Sequence, residues 1–133
     1  DKNTGQIIAG TRDSKEGRSF IDTTEQMITG ATRNMFAPEN TTLAVVVTNV
    51  ALTKSEAQKI AQMGNIGYAR TISPVHSTFD GDVVFVLSVG EEKEDINTVG
   101  LLGVRTISEA VNRGVKLADG FGIIPAYKDL SET

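Results

Sequence analysis

The sequence predicts an α/β fold in which helices cover a sheet. Three observations carry that expectation. Leu43-Ala44-Val45-Val46-Val47 is the most apolar run in the chain. A helix-start pattern follows at Thr53, and a second apolar run, Val83 to Val89, leads into a long helical pattern. Strand, helix, strand, helix in that order describes an α/β or α+β sandwich with helices packed on a sheet. At 133 residues the chain fits one domain, which would bury about two-thirds of its unfolded surface.

Taken in order, Gln6 to Ala9 reads as a short strand, followed by a polar turn from Thr11 to Arg18. Phe20-Ile21 ends a strand and leads into a short helix from Thr23 to Thr32, with Met27, Ile28 and Ala31 on one side. Pro38 closes that segment, because its ring cannot continue a helix. Thr42 to Val50 is then a central strand, since an uninterrupted β-branched run implies burial on both faces.

Thr53-x-x-Glu56 has the capping-box pattern, in which each side chain satisfies an orphan amide of the first turn. Ala57, Ile60, Ala61, Met63 and Tyr68 continue the apolar stripe to about Arg70. Gly64 and Gly67 either weaken that helix by about 1 kcal/mol each or admit close packing. Ser73-Pro74 forces a loop, and Asp80-Gly81-Asp82 turns into a second buried strand, Val83 to Val89. Glu91, Glu92, Glu94 and Asp95 put four carboxylates near the start of a helix from about Asp95 to Asp119, where negative charge favours the macrodipole. Leu101, Leu102, Val104, Ile107, Ala110, Val111 and Leu117 form its expected stripe, and Gly120 its stop.

Composition narrows the partners. A net charge of −4 gives no electrostatic reason to bind nucleic acid or an anionic membrane. No stretch approaches the roughly 18 apolar residues of a membrane span. With no cysteine there is neither disulfide nor thiolate chemistry, which fits a reducing compartment; a cytoplasmic location is expected. The sequence calls for no cofactor and no metal: it holds no GxSxG, Walker loop, HExxH or GxGxxG.

The residues with chemical potential gather at two places. Asn40-Thr41-Thr42 abuts the apolar run, so the Thr41 hydroxyl stands beside the Asn40 carbonyl at the mouth of a strand. A threonine hydroxyl needs a base to act as a nucleophile. If the Asn40-Thr41 bond broke, the new α-amine, with a pKa of about 7.7 to 8.0, would be roughly 10 to 15% neutral at pH 7. A lysine amine at about 10.4 would be less than about 0.1% neutral, so the terminal amine is the better local base. The plainer readings are that Thr41 and Thr42 are β-formers at a strand edge, or that Asn40-Thr41-Thr42 is an N-glycosylation acceptor. Asp80-Gly81-Asp82 is the second place, because residues two apart in extended chain project to one face. Two close carboxylates repel, which raises the pKa of one and suits it to hold a proton. A solvated Gly-centred turn accounts for the same three residues. His76, the only histidine, reads as a loop residue after Ser73-Pro74.

The series Asn40 to Asn49, Leu52-Thr53-Lys54, Ala57 to Ala69, Ile72 to Pro74 and Asp80-Gly81-Asp82 resembles the self-processing L-aminopeptidase/D-amidase-esterase family, which includes β-aminopeptidases and nylon-oligomer hydrolases. The likeness runs from about Gly5 to about Gly122. It implies two β-sheets between helix layers (αββα), with this chain the C-terminal part. It also implies self-cleavage between Asn40 and Thr41, leaving 1–40 as the end of an α chain and 41–133 as a β chain led by the nucleophile Thr41. Asp80 and Asp82 match the family's paired residues beside the nucleophile, and Thr at 41 with Asp at both positions is similar to the nylon-oligomer hydrolase branch. A peptide or small amide substrate, an upstream α-chain segment bearing a Lys, an Asn and oxyanion contacts, and a homo-oligomer are implied with them. A non-catalytic assembly module of the same fold is the alternative.

Overall fold

The computed structural model describes residues 1–14, 17–30 and 41–130. Ala31, Thr32, Pro38 and Asn40 of the expectations above lie outside the described residues. The elements are helix α1 (Thr23–Ile28), strand β1 (Leu43–Val50), helix α2 (Lys54–Ala69), strand β2 (Val83–Glu92), helix α3 (Ile96–Leu117) and the short α4 (Tyr127–Leu130). That order is α/β, as the sequence predicts. Contacts divide the chain into two compact units, Asp1–Ala37 with Ala110–Thr133, and Pro38–Glu109.

The second unit is built on a parallel sheet of β1 and β2, paired from Leu43↔Val83 to Thr48↔Ser88. Beyond that the ladder slips, so that Val50 faces Glu92. Ser88 bridges the slip: its hydroxyl donates to the Val50 carbonyl at 2.8 Å and accepts the Leu52 N–H at 3.0 Å.

Burial on both faces, expected for these strands, is not observed. Along β1 the even positions are covered and Val50 is buried, whereas Leu43, Val45 and Val47 are exposed at 67%, 55% and 60%. Along β2 Val84 is buried while Phe85, Leu87 and Val89 are open. A run that is apolar at every position does not distinguish a strand covered on two sides from one covered on a single side.

The covered face lies under α2. Its capping box forms as predicted, the Glu56 N–H reaching the Thr53 hydroxyl and the Thr53 N–H reaching the Glu56 carboxylate at 2.8 Å. Ile60 and Tyr68 are wholly buried, and Ile60 joins Val50 and Val99 in a core flanked by Leu52 and Val86. Gly64 and Gly67 serve close packing: a β-carbon on Gly67 would stand 2.8 Å from Ile107 Cβ and 2.9 Å from the Val104 carbonyl oxygen. The buried side of α3 keeps Val104 and Ile107 of the expected stripe but not its leucines. Val99, Gly100, Gly103, Val104, Ile107, Ser108 and Asn112 are buried, and Leu101, Leu102 and Leu117 are exposed. Hydropathy favours leucine over glycine, but the close approach of Ile107 and Val104 to Gly67 sets which side of α3 is buried. Of the four carboxylates, Glu91 and Glu92 end β2, while Asp95 accepts the N–H groups of Asn97 and Thr98 at 2.9 and 3.1 Å as α3 begins.

In the first unit, Gln6 to Ala9 form no strand; an isolated antiparallel bridge joins Arg12 and Phe20 instead. Asp22 caps α1, which fully buries none of its residues; on the expected apolar side Met27 is half-buried and Ile28 is exposed. Arg12 Nη2 donates to the Pro125 carbonyl at 2.8 Å, and Lys116 Nζ meets Asp1 Oδ2 at 2.6 Å. Among the described residues, no helix is long and apolar enough to cross a membrane.

Candidate active site

Parallel strands joined by a helix have their leading ends at the same rim, and this brings residues 41 and 42 beside residues 81 to 83. The pairing of Leu43 with Val83, continued two residues back, sets Thr41 opposite Gly81. The side chains agree with that register. A β-carbon built on Gly81 would stand 2.8 Å from Thr41 Oγ1, and its three nearest neighbours all belong to Thr41. Thr41 and Gly81 are both exposed, and Thr41 shares the parity of the open positions Leu43, Val45 and Val47.

Thr42, one residue on, faces the helix side and is held from three directions. Its N–H donates to Asp82 Oδ1 at 2.8 Å. Its carbonyl accepts the Val83 N–H at 3.0 Å and the Tyr68 hydroxyl at 3.3 Å, the latter also lying 3.1 Å from the Val83 carbonyl. A tyrosine buried near the end of α2 thus ties Thr42, just before β1, to Val83, the first residue of β2. Thr41, attached to this anchored residue, has little freedom at its carbonyl end.

Asp82 is the electrostatic centre of the rim. Its side chain is only 4% exposed, yet it accepts the Thr42 N–H on one oxygen and the His76 N–H at 3.2 Å on the other. The His76 ring, 39% exposed, lies 3.9 Å away through Nδ1. Burial pushes the Asp82 carboxyl up, but the hydrogen bonds from His76 and from both the hydroxyl and amide of Thr42, with the charge of a protonated His76, outweigh it and hold the group below the ordinary value. Asp82 is therefore an ionised acceptor rather than a proton reservoir. The Tyr68 hydroxyl is shifted up, chiefly by burial and further by the Asp82 charge, so it stays a neutral donor.

Asp80 takes different partners. Its Oδ2 accepts the N–H of Ser77 at 3.0 Å and the Ser77 hydroxyl in a short bond, closing the Ser77–Asp80 turn. The two aspartates predicted to work as one pair are thus engaged separately, Asp82 with the strand mouth and Asp80 with the preceding loop. The sequence reading missed Tyr68 as an anchor, treating it as one more apolar stripe position. It also read His76 as a loop residue; its backbone takes the left-handed form, with φ of 53°, and its N–H points at Asp82.

Elsewhere the chemistry is sparse. A depression of about 530 Å³ in the first unit is lined by Gly10, Arg12, Ser14, Ile123 and Ile124 and contains no residue of the predicted site. Among the described residues, no group of three or more ligating side chains is arranged to hold a metal.

The rim thus places the Thr41 hydroxyl against Gly81 and fixes Thr42 through Asp82. The chain belongs to Peptidase family S58, whose family model matches residues 4–121. It is similar to an uncharacterized aminopeptidase of Mycobacterium tuberculosis, 32% identical over 108 residues that cover 70% of this chain and 31% of the relative. An uncharacterized aminopeptidase of Mycobacterium leprae is 33% identical over 103 residues, covering 66% of this chain and 28% of its own length. The chain thus spans less than a third of the length of these curated relatives.

Proposed function

We propose that this chain is the nucleophile-bearing part of a self-processing amide hydrolase, acting on peptides with a free N-terminus or on small amides. The observation that carries the reading is the position of Thr41, its hydroxyl at the open end of β1 and the following residue pinned by Asp82 and Tyr68. Membership of a peptidase family and likeness to proteins named aminopeptidases support it.

The chemistry proceeds in two stages. In processing, Thr41 Oγ attacks the Asn40 carbonyl carbon, the Asn40–Thr41 C–N bond breaks, and an ester joins the two residues. Water opens the ester, leaving the Asn40 carboxylate and a free Thr41 amine. In turnover, that amine takes the Thr41 hydroxyl proton as Oγ attacks a substrate carbonyl; the leaving amine departs protonated, and water hydrolyses the acyl-enzyme. Asp82 carries no proton in this scheme. It fixes Thr42 and supplies negative charge that favours the protonated amine as it forms, with Asp80 shaping the adjacent turn. Oxyanion donors come in part from an upstream segment.

The second layer of the fold belongs to the same proposal. The open apolar positions Leu43, Val45, Val47, Phe85, Leu87 and Val89 form a sheet face that suits a second sheet, completing an αββα sandwich. Such a sandwich, assembled into a homo-oligomer in a reducing, cytoplasmic setting, completes the reading.

The decisive experiment is Thr41→Ala in the full-length protein, followed by intact-mass measurement and an amide-hydrolysis assay. Loss of both the fragment beginning at Thr41 and all turnover is expected. Cleavage or hydrolysis persisting in that variant would sink the assignment.

A further inference from the structure

The geometry points to Gly81 as a positioning residue for the Thr41 hydroxyl: its missing side chain leaves the clearance in which that hydroxyl holds its working rotamer. This rests on the proposed nucleophilic role of Thr41. The argument starts from a distance. A β-carbon on residue 81 would stand 2.8 Å from Thr41 Oγ1 but 3.8 Å from Thr41 Cβ and Cγ2. The hydroxyl alone would be crowded, while the carbons would sit at ordinary contact.

Two further facts make the effect specific. Gly81 is not among the residues with a left-handed backbone, so alanine at this position meets no conformational penalty of its own. Threonine, in contrast, is stiff at χ1, because two heavy atoms on its Cβ restrict the wells it can occupy. Crowding at Oγ1 therefore cannot be absorbed by a small tilt. Either the side chain rotates to another well, moving the hydroxyl off its line of attack, or the two strand mouths separate.

The consequence is kinetic. A reacting carbonyl carbon must come within about 3 to 3.5 Å of the nucleophile, and a misplacement of about 1 Å costs on the order of 100-fold in rate. An added methyl at residue 81 stands inside that shell. The same clearance serves both stages, because the Asn40 carbonyl and the substrate carbonyl are attacked by one oxygen atom.

The test compares Gly81→Ala, Thr41→Ser, the double variant and Thr41→Ala, all in the full-length protein. The readouts are the rate of self-cleavage by intact mass, kcat and KM on L-alanine p-nitroanilide, and the melting temperature. For Gly81→Ala, cleavage and kcat should fall about 100-fold, with KM and melting temperature unchanged. In the double variant, serine lacks the second branch that stiffens χ1 and can tilt within the same well to clear the added carbon, so much of the loss relative to Thr41→Ser should be recovered. Wild-type rates in Gly81→Ala, a melting temperature that drops along with activity, or no recovery in the double variant each overturn the inference. If Thr41→Ala itself keeps activity, the failure lies with the nucleophile assignment rather than with Gly81.

Discussion

On one face of the β1–β2 sheet, Val46, Val50, Val84 and Val86 lie under helices; on the other, Leu43, Val45, Val47, Phe85, Leu87 and Val89 are largely open. The same alternation runs back to the rim. Thr42, Asp82 and Tyr68 gather on the covered side, where they are hydrogen-bonded to one another, and Thr41 faces Gly81 on the open side. The difference teaches that the sheet separates a hydrogen-bonded, packed side from an open one, and the proposed reaction takes place on the open one. One face fixes the backbone, and the other presents a hydroxyl to whatever approaches.

The largest break in this comparison should come from the covered face. Ile60 is wholly enclosed between sheet and helix, so Ile60→Ala should destabilise the chain by about 2–5 kcal/mol, measured by urea unfolding. A loss under about 1 kcal/mol would mean that the helix layer is not the core it is taken to be.

Asp82→Asn comes next. It replaces an ionised acceptor of the Thr42 and His76 amides by a neutral amide, and should cost about 1–3 kcal/mol at pH 7. The sign with pH follows from the depressed carboxyl. Its stabilisation is complete above the unfolded-state value of about 3.9 and disappears as pH falls through the lower folded-state value. The wild-type chain should therefore lose stability in acid more steeply than Asp82→Asn. Parallel pH–stability curves would contradict the ionised, hydrogen-bonded state of Asp82.

The smallest effect belongs to the open face. Leu87 is 51% exposed, so Leu87→Thr should change the stability of the 133-residue chain by no more than about 0.5 kcal/mol. In the full-length protein the same substitution should be measurably destabilising, because the proposed second sheet buries that position. Equal, negligible effects in both would leave the open face without a cover.

Much of the covered side was legible in advance. Thr53 and Glu56 announce their helix by a local hydrogen-bond pattern that does not depend on the rest of the fold, and the two apolar runs mark their strands. The rim could be read only in part. Thr41 and Asp82 stand out by residue type, but the partners of Asp82 come from residues 42 and 76, which only the strand pairing brings near. Tyr68 looked like another apolar stripe position because its hydroxyl finds its acceptors across the sheet. Leu101 and Leu102 misled because a leucine-rich pattern outweighs glycine in any hydropathy reading, while α3 buries Gly100 and Gly103 and sets Ile107 against Gly67 of α2. The open face was hidden for a simpler reason: valine and leucine look alike whether or not something rests on them.

The first compact unit draws its residues from both sides of the Asn40–Thr41 bond, with Arg12 tied to Pro125 and Asp1 to Lys116. A nick before Thr41 would fall outside the β1–β2 ladder, which begins at Leu43. The two pieces so made would share one folded body, migrating together on a native column and parting only when denatured.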